Sequence, residues 1–169
     1  MPEIVAITRN MSDLYKEVRL RALQADPSAF CSTYAREVQF TDEVWYERSA
    51  SLDGYKKIGF VAMEAGKPCG LVACFRDEQA STCAHVISMW VAPSHRGTGL
   101  SSSLLDAIRK WAQTQGITVL RLGVISNNAT AIKFYERHGF TRTGEQERYR
   151  NDASLFEVEM SMPTANTAA

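Results

Sequence analysis

The stretch Val91-Ala92-Pro93-Ser94-His95-Arg96-Gly97-Thr98-Gly99-Leu100-Ser101 constrains the fold more than any other part of the chain. A strand-like run, STCAHVISMWVA (81–92), stops at Pro93, which cannot continue a ladder. After the glycines at 97 and 99, Leu100, Leu104, Ile108 and Trp111 recur at helical spacing, and Gly116 closes the pattern as a glycine just past a helix end does. A helix start leaves its first N–H groups unpaired, with the positive end of the helix dipole beside them. Glycines at that point remove the Cβ atoms that would hold an anion away. Residues Arg96 to Ser101 therefore read as a cradle for a phosphate or pyrophosphate, with Arg96 adding charge and the Ser101 and Ser102 hydroxyls adding donors. A Walker loop needs a lysine after its last glycine, and the dinucleotide fingerprint needs a third glycine where Ser102 stands. Neither pattern fits, and a hydrolase of the phosphate-binding class would need that lysine or a metal-binding carboxylate set. The remaining alternative is a glycine-rich connector with no ligand.

The rest of the chain supplies elements around this one. EIVAITR (3–9) reads as a first strand, and Ser12 or Asp13 is placed to cap a helix over DLYKEVRLRALQ. A turn and a short irregular segment follow, then a second helix from Thr41 or Asp42. The period then changes to strands: KKIGFVAMEAGKPCGLVACFRD forms a hairpin about a Gly66-Lys67 turn. ITVLRLGV (117–124) is a nearly continuous β run, predicted to be covered on both faces. NNATAIKFYERHG is a capped helix ending at Gly139, and FTRTGEQERYR and SLFEVEMSM are two closing strands. The order β-α-α-β-β-β-α-β-α-β-β describes a mixed sheet with helices packed on it, an α+β domain.

Composition narrows the function. A chain of 169 residues can bury one real core. Lys plus Arg and Asp plus Glu both number 19, a balance that argues against a nucleic-acid binder working by phosphate neutralisation. No apolar run approaches the roughly 18 residues of a membrane span, and MPEIVAITRN lacks the pattern of a signal peptide, so the expectation is a cytoplasmic protein with no membrane partner. Cys31, Cys69, Cys74 and Cys83 form no CxxC pair and read as reduced core thiols rather than a zinc site, so no metal is expected.

The Val91–Ser101 stretch resembles motif A of the GCN5-related N-acetyltransferases (GNAT), whose signature is Q/R-x-x-G-x-G/A after a strand ending in a V-x-P-like turn. Arg96, Gly97, Thr98 and Gly99 match, and Ser101 departs from the usual Gly or Ala while staying small. Some 30 residues on, NNATAIKFYERHGF is similar to motif B, N-x-x-A-x-x-x-Y-x-x-x-G-F, with Asn128, Ala131, Tyr135, Gly139 and Phe140 in register. RLRALQADPSAF resembles the first helix and following turn of many small members. The resemblance covers residues 3–161 and implies the acyl-CoA N-acyltransferase fold, a mixed, mostly antiparallel sheet of about seven strands between helices in a three-layer arrangement. It implies a single domain over 1–162, with 163–169 as a disordered tail.

The resemblance also implies a chemistry: acetyl transfer from acetyl-CoA to an amine, without metal, in a ternary complex. The pyrophosphate would lie on the backbone of Arg96, Gly97, Thr98, Gly99, Leu100, Ser101 and Ser102. The pantetheine arm would pair with Met89, Trp90 and Val91, where this strand splays from the next, and touch Asn128 and Ala131. Asn128 is expected to serve either the arm or the helix N-cap but not both, with Asn127 as the cap if Asn128 serves the arm. Tyr135 would protonate the leaving thiolate, since a phenol keeps its proton at neutral pH. His85, four residues before Met89, would be the general base, with Glu37 and Glu64 as alternatives. The acids Glu37, Asp42, Glu43 and Glu47 either line the acceptor channel or form the solvated face of a helix. The expected acceptor is a small-molecule amine. A non-catalytic acyl-CoA sensor and a protein N-terminal or lysine acetyltransferase are the alternatives, and family members are often homodimers.

Overall fold

The computed structural model describes residues 1–150 and 152–165. Seven strands form one sheet: β1 (Glu3–Ala6), β2 (Lys57–Glu64), β3 (Lys67–Arg76), β4 (Cys83–Val91), β5 (Val119–Ile125), β6 (Thr141–Arg148) and β7 (Phe156–Pro163). Their spatial order is β1-β2-β3-β4-β5-β7-β6. Every neighbouring pair is antiparallel except β4 and β5. A parallel pair needs a crossover, and helix α4 (Leu100–Thr114) supplies it. The other helices are α1 (Ser12–Ala25), α2 (Tyr34–Glu37), α3 (Asp42–Ala50) and α5 (Ala129–Arg137). The α+β sheet-and-helix arrangement expected from the sequence is the one observed.

Helices cover both faces. The open side of Gly70 on β3 meets Leu100 and Leu104 of α4, whereas that of Gly59 on β2 meets Leu52 beyond α3 and Ile7. Leu104 and Ile108 are fully buried, and Leu100 and Trp111 nearly so, as the spacing predicted. Each such side chain contributes about 1.5–3 kcal/mol of hydrophobic stabilisation. The Trp111 indole N–H donates to Gly54 O at 2.6 Å, which ties α4 to the loop before β2.

Several local expectations are corrected. Helix α1 follows a 3₁₀ turn at Arg9–Met11, so Ser12 lies inside the helical run and Met11 flanks it without a side-chain cap. The tip of the β2–β3 hairpin is Ala65-Gly66, both with positive φ, and Lys67 already pairs with Glu64. Strand β5 is not covered on both faces: Leu120, Leu122 and Val124 are buried while Arg121 and Gly123 are exposed. Cys31 is exposed on a loop, although the other three cysteines are buried. Strand β7 runs to Pro163, and Thr164 is buried with its hydroxyl donating to Ile117 O. Residues 166–169 of the expected tail lie outside the described residues. Among the described residues no helix is long and apolar enough to cross a membrane.

Candidate active site

The site begins where the two parallel strands part. β4 and β5 pair only at Cys83–Val119, Ala84–Leu120 and His85–Arg121. β5 continues to Ile125 against β7, so its other edge is left open. On β4, Ser88 and Met89 together face the single residue Val72, a bulge in which Ser88 takes φ +58°. A bulge bends its strand and increases its twist. Arg19 of α1 holds this one, donating from Nη1 to Ser88 Oγ at 2.8 Å. The sheet therefore opens into a fork beyond His85 and Arg121.

One wall of the fork is the loop into α4. Gly97 and Gly99 have φ of +75° and +86°, and a Cβ at either would meet no atom within 4 Å. Such angles strain any side-chain-bearing residue, which explains the glycines. Among the described residues, the backbone N–H groups from Gly97 to Ser102 make no hydrogen bond, and the first bonded one is Ser103, to Gly99 O. That row, at a helix start, is an anion site open to a large ligand. Two side chains differ from expectation. Arg96 donates from Nη2 to Asp26 Oδ2 at 2.6 Å and from Nε to Val91 O, so its charge is shared with Asp26. The Ser102 hydroxyl meets His138 Nε2 at 2.9 Å. His138 Nδ1 lies 2.8 Å from Phe134 O, which can only accept, so the Nε2 of the neutral ring takes the hydroxyl proton.

The floor is a narrow cavity of about 130 Å³ reached by Ser88, Met89, Asn128, Ala131 and Tyr135. Tyr135 is buried, its ring edge-on to Phe134 and Phe140. Burial pushes its phenol up to about 12. Its hydroxyl makes no hydrogen bond among the described residues. Asn128, not Asn127, caps α5: its Oδ1 accepts from Ala131 N at 3.1 Å. The cap uses the oxygen alone, which leaves the amide NH₂ as a donor. Trp90 turns its indole away to Asp26 Oδ2, so it can serve the fork through its backbone only.

Beyond the narrow cavity the space widens in two directions. One basin, about 380 Å³, is lined by His85 and Arg121 and by Glu145, Glu147, Glu157 and Glu159 from the last two strands. The other, about 780 Å³, lies under α1 and α3 and carries Arg19, Arg48, Lys56 and Lys57. Ile87 lines all three spaces and is 45% exposed. His85 stands in the acidic basin with Nε2 2.8 Å from Asp77 Oδ2 and its ring stacked on Phe75, and it does not line the cavity that holds Tyr135.

The other proposed bases lie elsewhere. Glu37 is buried between Arg19 and Arg48; burial alone would raise its carboxyl, but hydrogen bonds from Arg19, Ser32 and Arg48 hold it at about 2. Glu64 pairs with His95 at the β2–β3 hairpin, outside all three spaces. Asp42, Glu43 and Glu47 also line none of them; the acids of the cleft come from β6 and β7 and, in the larger basin, from Asp77 and Glu78 after β3. Sequence reasoning missed Ile87, Arg19 and Glu157. A glycine inside a strand, Gly123, was the available signal of a close approach there.

A model of the Acetyltransferase (GNAT) family matches residues 20–140. An uncharacterized N-acetyltransferase of Methanocaldococcus jannaschii is 28% identical over 141 residues, which is 76% of this chain and 62% of that protein's length. An L-methionine sulfoximine/L-methionine sulfone acetyltransferase of Salmonella typhimurium is 30% identical over 72% of this chain and 78% of its own. The solved structure of a GNAT-family acetyltransferase from Streptococcus pneumoniae superposes with a TM-score of 0.81 over 96% of this chain and 99% of its own, at 23% identity.

Proposed function

Because the chain belongs to the GNAT acetyltransferase family, we propose that it transfers the acetyl group of acetyl-CoA to a primary amine of a small molecule. The observation that carries this reading is the row of unbonded N–H groups from Gly97 to Ser102 opening onto a fork floored by the unpartnered Tyr135 hydroxyl. The residues fit such a co-substrate: an open anion cradle for the pyrophosphate, and an unpaired strand edge at Met89–Val91 for the amide-bearing arm, taken as an added strand would be. The Asn128 amide NH₂ is a further donor, and Ala131 leaves room beside it.

Acetyl-CoA supplies an activated acyl group, held as a thioester. The protein's work is to orient it, polarise its carbonyl with an N–H of the β4 bulge, and move protons. Tyr135, a phenol that burial raises to about 12, keeps its proton across the neutral range, and in this reading it hands that proton to the leaving sulfur. The wider basins admit an acceptor from the side away from the cradle, so both substrates can be held together and the amine can attack directly. His85, on Asp77, stands where a proton could pass outward to solvent.

The acceptor class is read from the relative that acetylates L-methionine sulfone, a small amine. Thermal shift with acetyl-CoA, followed by thiol release against a panel of amines, tests the reading. Stabilisation by about 2.7 kcal/mol at 100 times the dissociation constant is the expected result. No shift, or a shift without thiol release from any amine, overturns it.

A further inference from the structure

Acetyl transfer to an amine needs a proton acceptor beside the acid, because an ammonium has no lone pair with which to attack. The proposed acid is Tyr135, and its narrow cavity is shared with one carboxylate, that of Glu157. Glu157 is paired with Ile125 across the β5–β7 ladder, yet its side chain leans back over the neighbouring backbone of Gly123. A Cβ built on Gly123 would stand 1.9 Å from Glu157 Oε1 and 2.7 Å from its Cδ. The carboxylate thus fills the volume that a side chain at 123 would occupy, on the exposed face of β5 at the mouth of the fork. Only glycine at 123 allows this.

Its surroundings leave the carboxylate able to accept. Glu157 makes no ion pair among the described residues, and its one hydrogen-bond contact is the weak donor Cys31, at 4.0 Å. The rival groups are engaged: Glu159 accepts from Thr143, Glu37 lies between two arginines, and His85 is on Asp77. Of the four glutamates in the acidic basin, Glu157 alone also lines the cavity of Tyr135. The titratable and charged groups that face it are Cys31 from the loop after α1, His85 from β4, Arg121 from β5, Tyr135 from α5, Glu145 and Glu147 from β6, Tyr149 just beyond β6, and Glu159 from its own strand.

We propose that Glu157, set across β5 by the absence of a side chain at Gly123, is the general base that deprotonates the acceptor ammonium. One proton passes from the nitrogen to the carboxylate before attack and is released to water. After the C–N bond forms, the C–S bond breaks and the sulfur leaves with the proton of Tyr135, while the second proton of the nitrogen passes through the emptied carboxylate or solvent to the tyrosinate and restores the phenol. The products are a neutral amide and a thiol. The assignment rests on the acetyltransferase reading above.

The test uses Glu157→Gln and Gly123→Ala, with acetyl-CoA and L-methionine sulfone, L-lysine or putrescine as acceptors. Glu157→Gln should leave the acetyl-CoA thermal shift unchanged and lower kcat at neutral pH by about 100-fold. The deficit should close as the pH rises and the acceptor loses its proton unaided, which a merely structural loss would not do. Gly123→Ala, which displaces the same carboxylate, should reproduce the pH-dependent loss. A Glu157→Gln profile identical to wild type, or a loss constant across pH, overturns the assignment. A wild-type protein that binds acetyl-CoA but acetylates none of the three amines overturns instead the small-amine reading on which the base depends.

Discussion

The two walls of the fork, one proposed to hold the cofactor and the other the acceptor, are built in opposite ways. The cofactor wall is a single run of seven residues, Arg96 to Ser102, whose working groups are backbone N–H donors and whose glycines matter for what they lack. The acceptor wall is a set of side chains from α1, α3, β2, β3, β4, β5, β6 and β7, brought together by register and by buried ion pairs. A backbone-built wall tolerates many sequences provided its glycines stay. A side-chain-built wall depends on each residue that holds another in place.

The strongest way to break this contrast is to remove the support beneath the acceptor wall. Glu37→Ala leaves Arg19 buried without its carboxylate, and breaking a buried pair costs about 3–5 kcal/mol. Chemical denaturation should show a loss of that size. Arg19 also holds the Ser88 bulge, so turnover should fall as well, whereas acetyl-CoA should still bind where the variant is folded. The same pair predicts acid sensitivity. The folded Glu37 carboxyl lies at about 2, below its ordinary 4.5, so its stabilisation is complete above about pH 4.5 and is lost as the pH falls towards 2. In Glu37→Ala that part of the acid unfolding profile should flatten. A variant as stable as wild type would mean that the triad does not support the wall.

The converse experiment strikes the cofactor wall alone. Gly99→Glu combines a left-handed φ with a carboxylate in an anion cradle. The stabilisation of about 2.7 kcal/mol expected at 100 times the dissociation constant should disappear, while the unliganded protein loses about 1–2 kcal/mol at most. An unchanged acetyl-CoA shift would put the pyrophosphate elsewhere.

Tyr135→Phe tests the point where the walls meet. It should lower kcat by about 100-fold, a little under 3 kcal/mol, with the dissociation constant of acetyl-CoA nearly unchanged. Because the phenol titrates only near 12, the wild-type rate should show no alkaline fall from this group at ordinary assay pH. A Phe variant of equal kcat would leave Tyr135 as a packing residue.

The same contrast explains what the sequence disclosed. The cradle, the α4 stripe and the order of elements were legible because each lies in a short window with its own periodicity or glycine pattern. Glu157 was not, because its place depends on a register between strands 34 positions apart and on Gly123 being empty. The continuous apolar appearance of 117–124 concealed an alternation in which Arg121 and Gly123 face the cleft. The acids of residues 37–47 were visible but their place was left open: Asp42, Glu43 and Glu47 form the solvated face, while Glu37 is locked to arginines, a difference that charge alone does not carry.

Asn128 sharpens the comparison most finely, because in the proposed complex it would serve backbone and ligand with different atoms. Its Oδ1 caps α5 by accepting from Ala131 N, which leaves its NH₂ as a donor for the proposed pantetheine arm. Asn128→Ala removes both and should cost about 1 kcal/mol of stability. Asn128→Asp keeps a capping oxygen, and aspartate caps as well as asparagine, so stability should hold. It lacks the NH₂ donor, so acetyl-CoA should bind more weakly by roughly the worth of one hydrogen bond, about 0.5–1.5 kcal/mol. If Asn128→Asp binds acetyl-CoA as wild type does, the residue belongs to the helix alone, and the cofactor wall is built from backbone even at its far end.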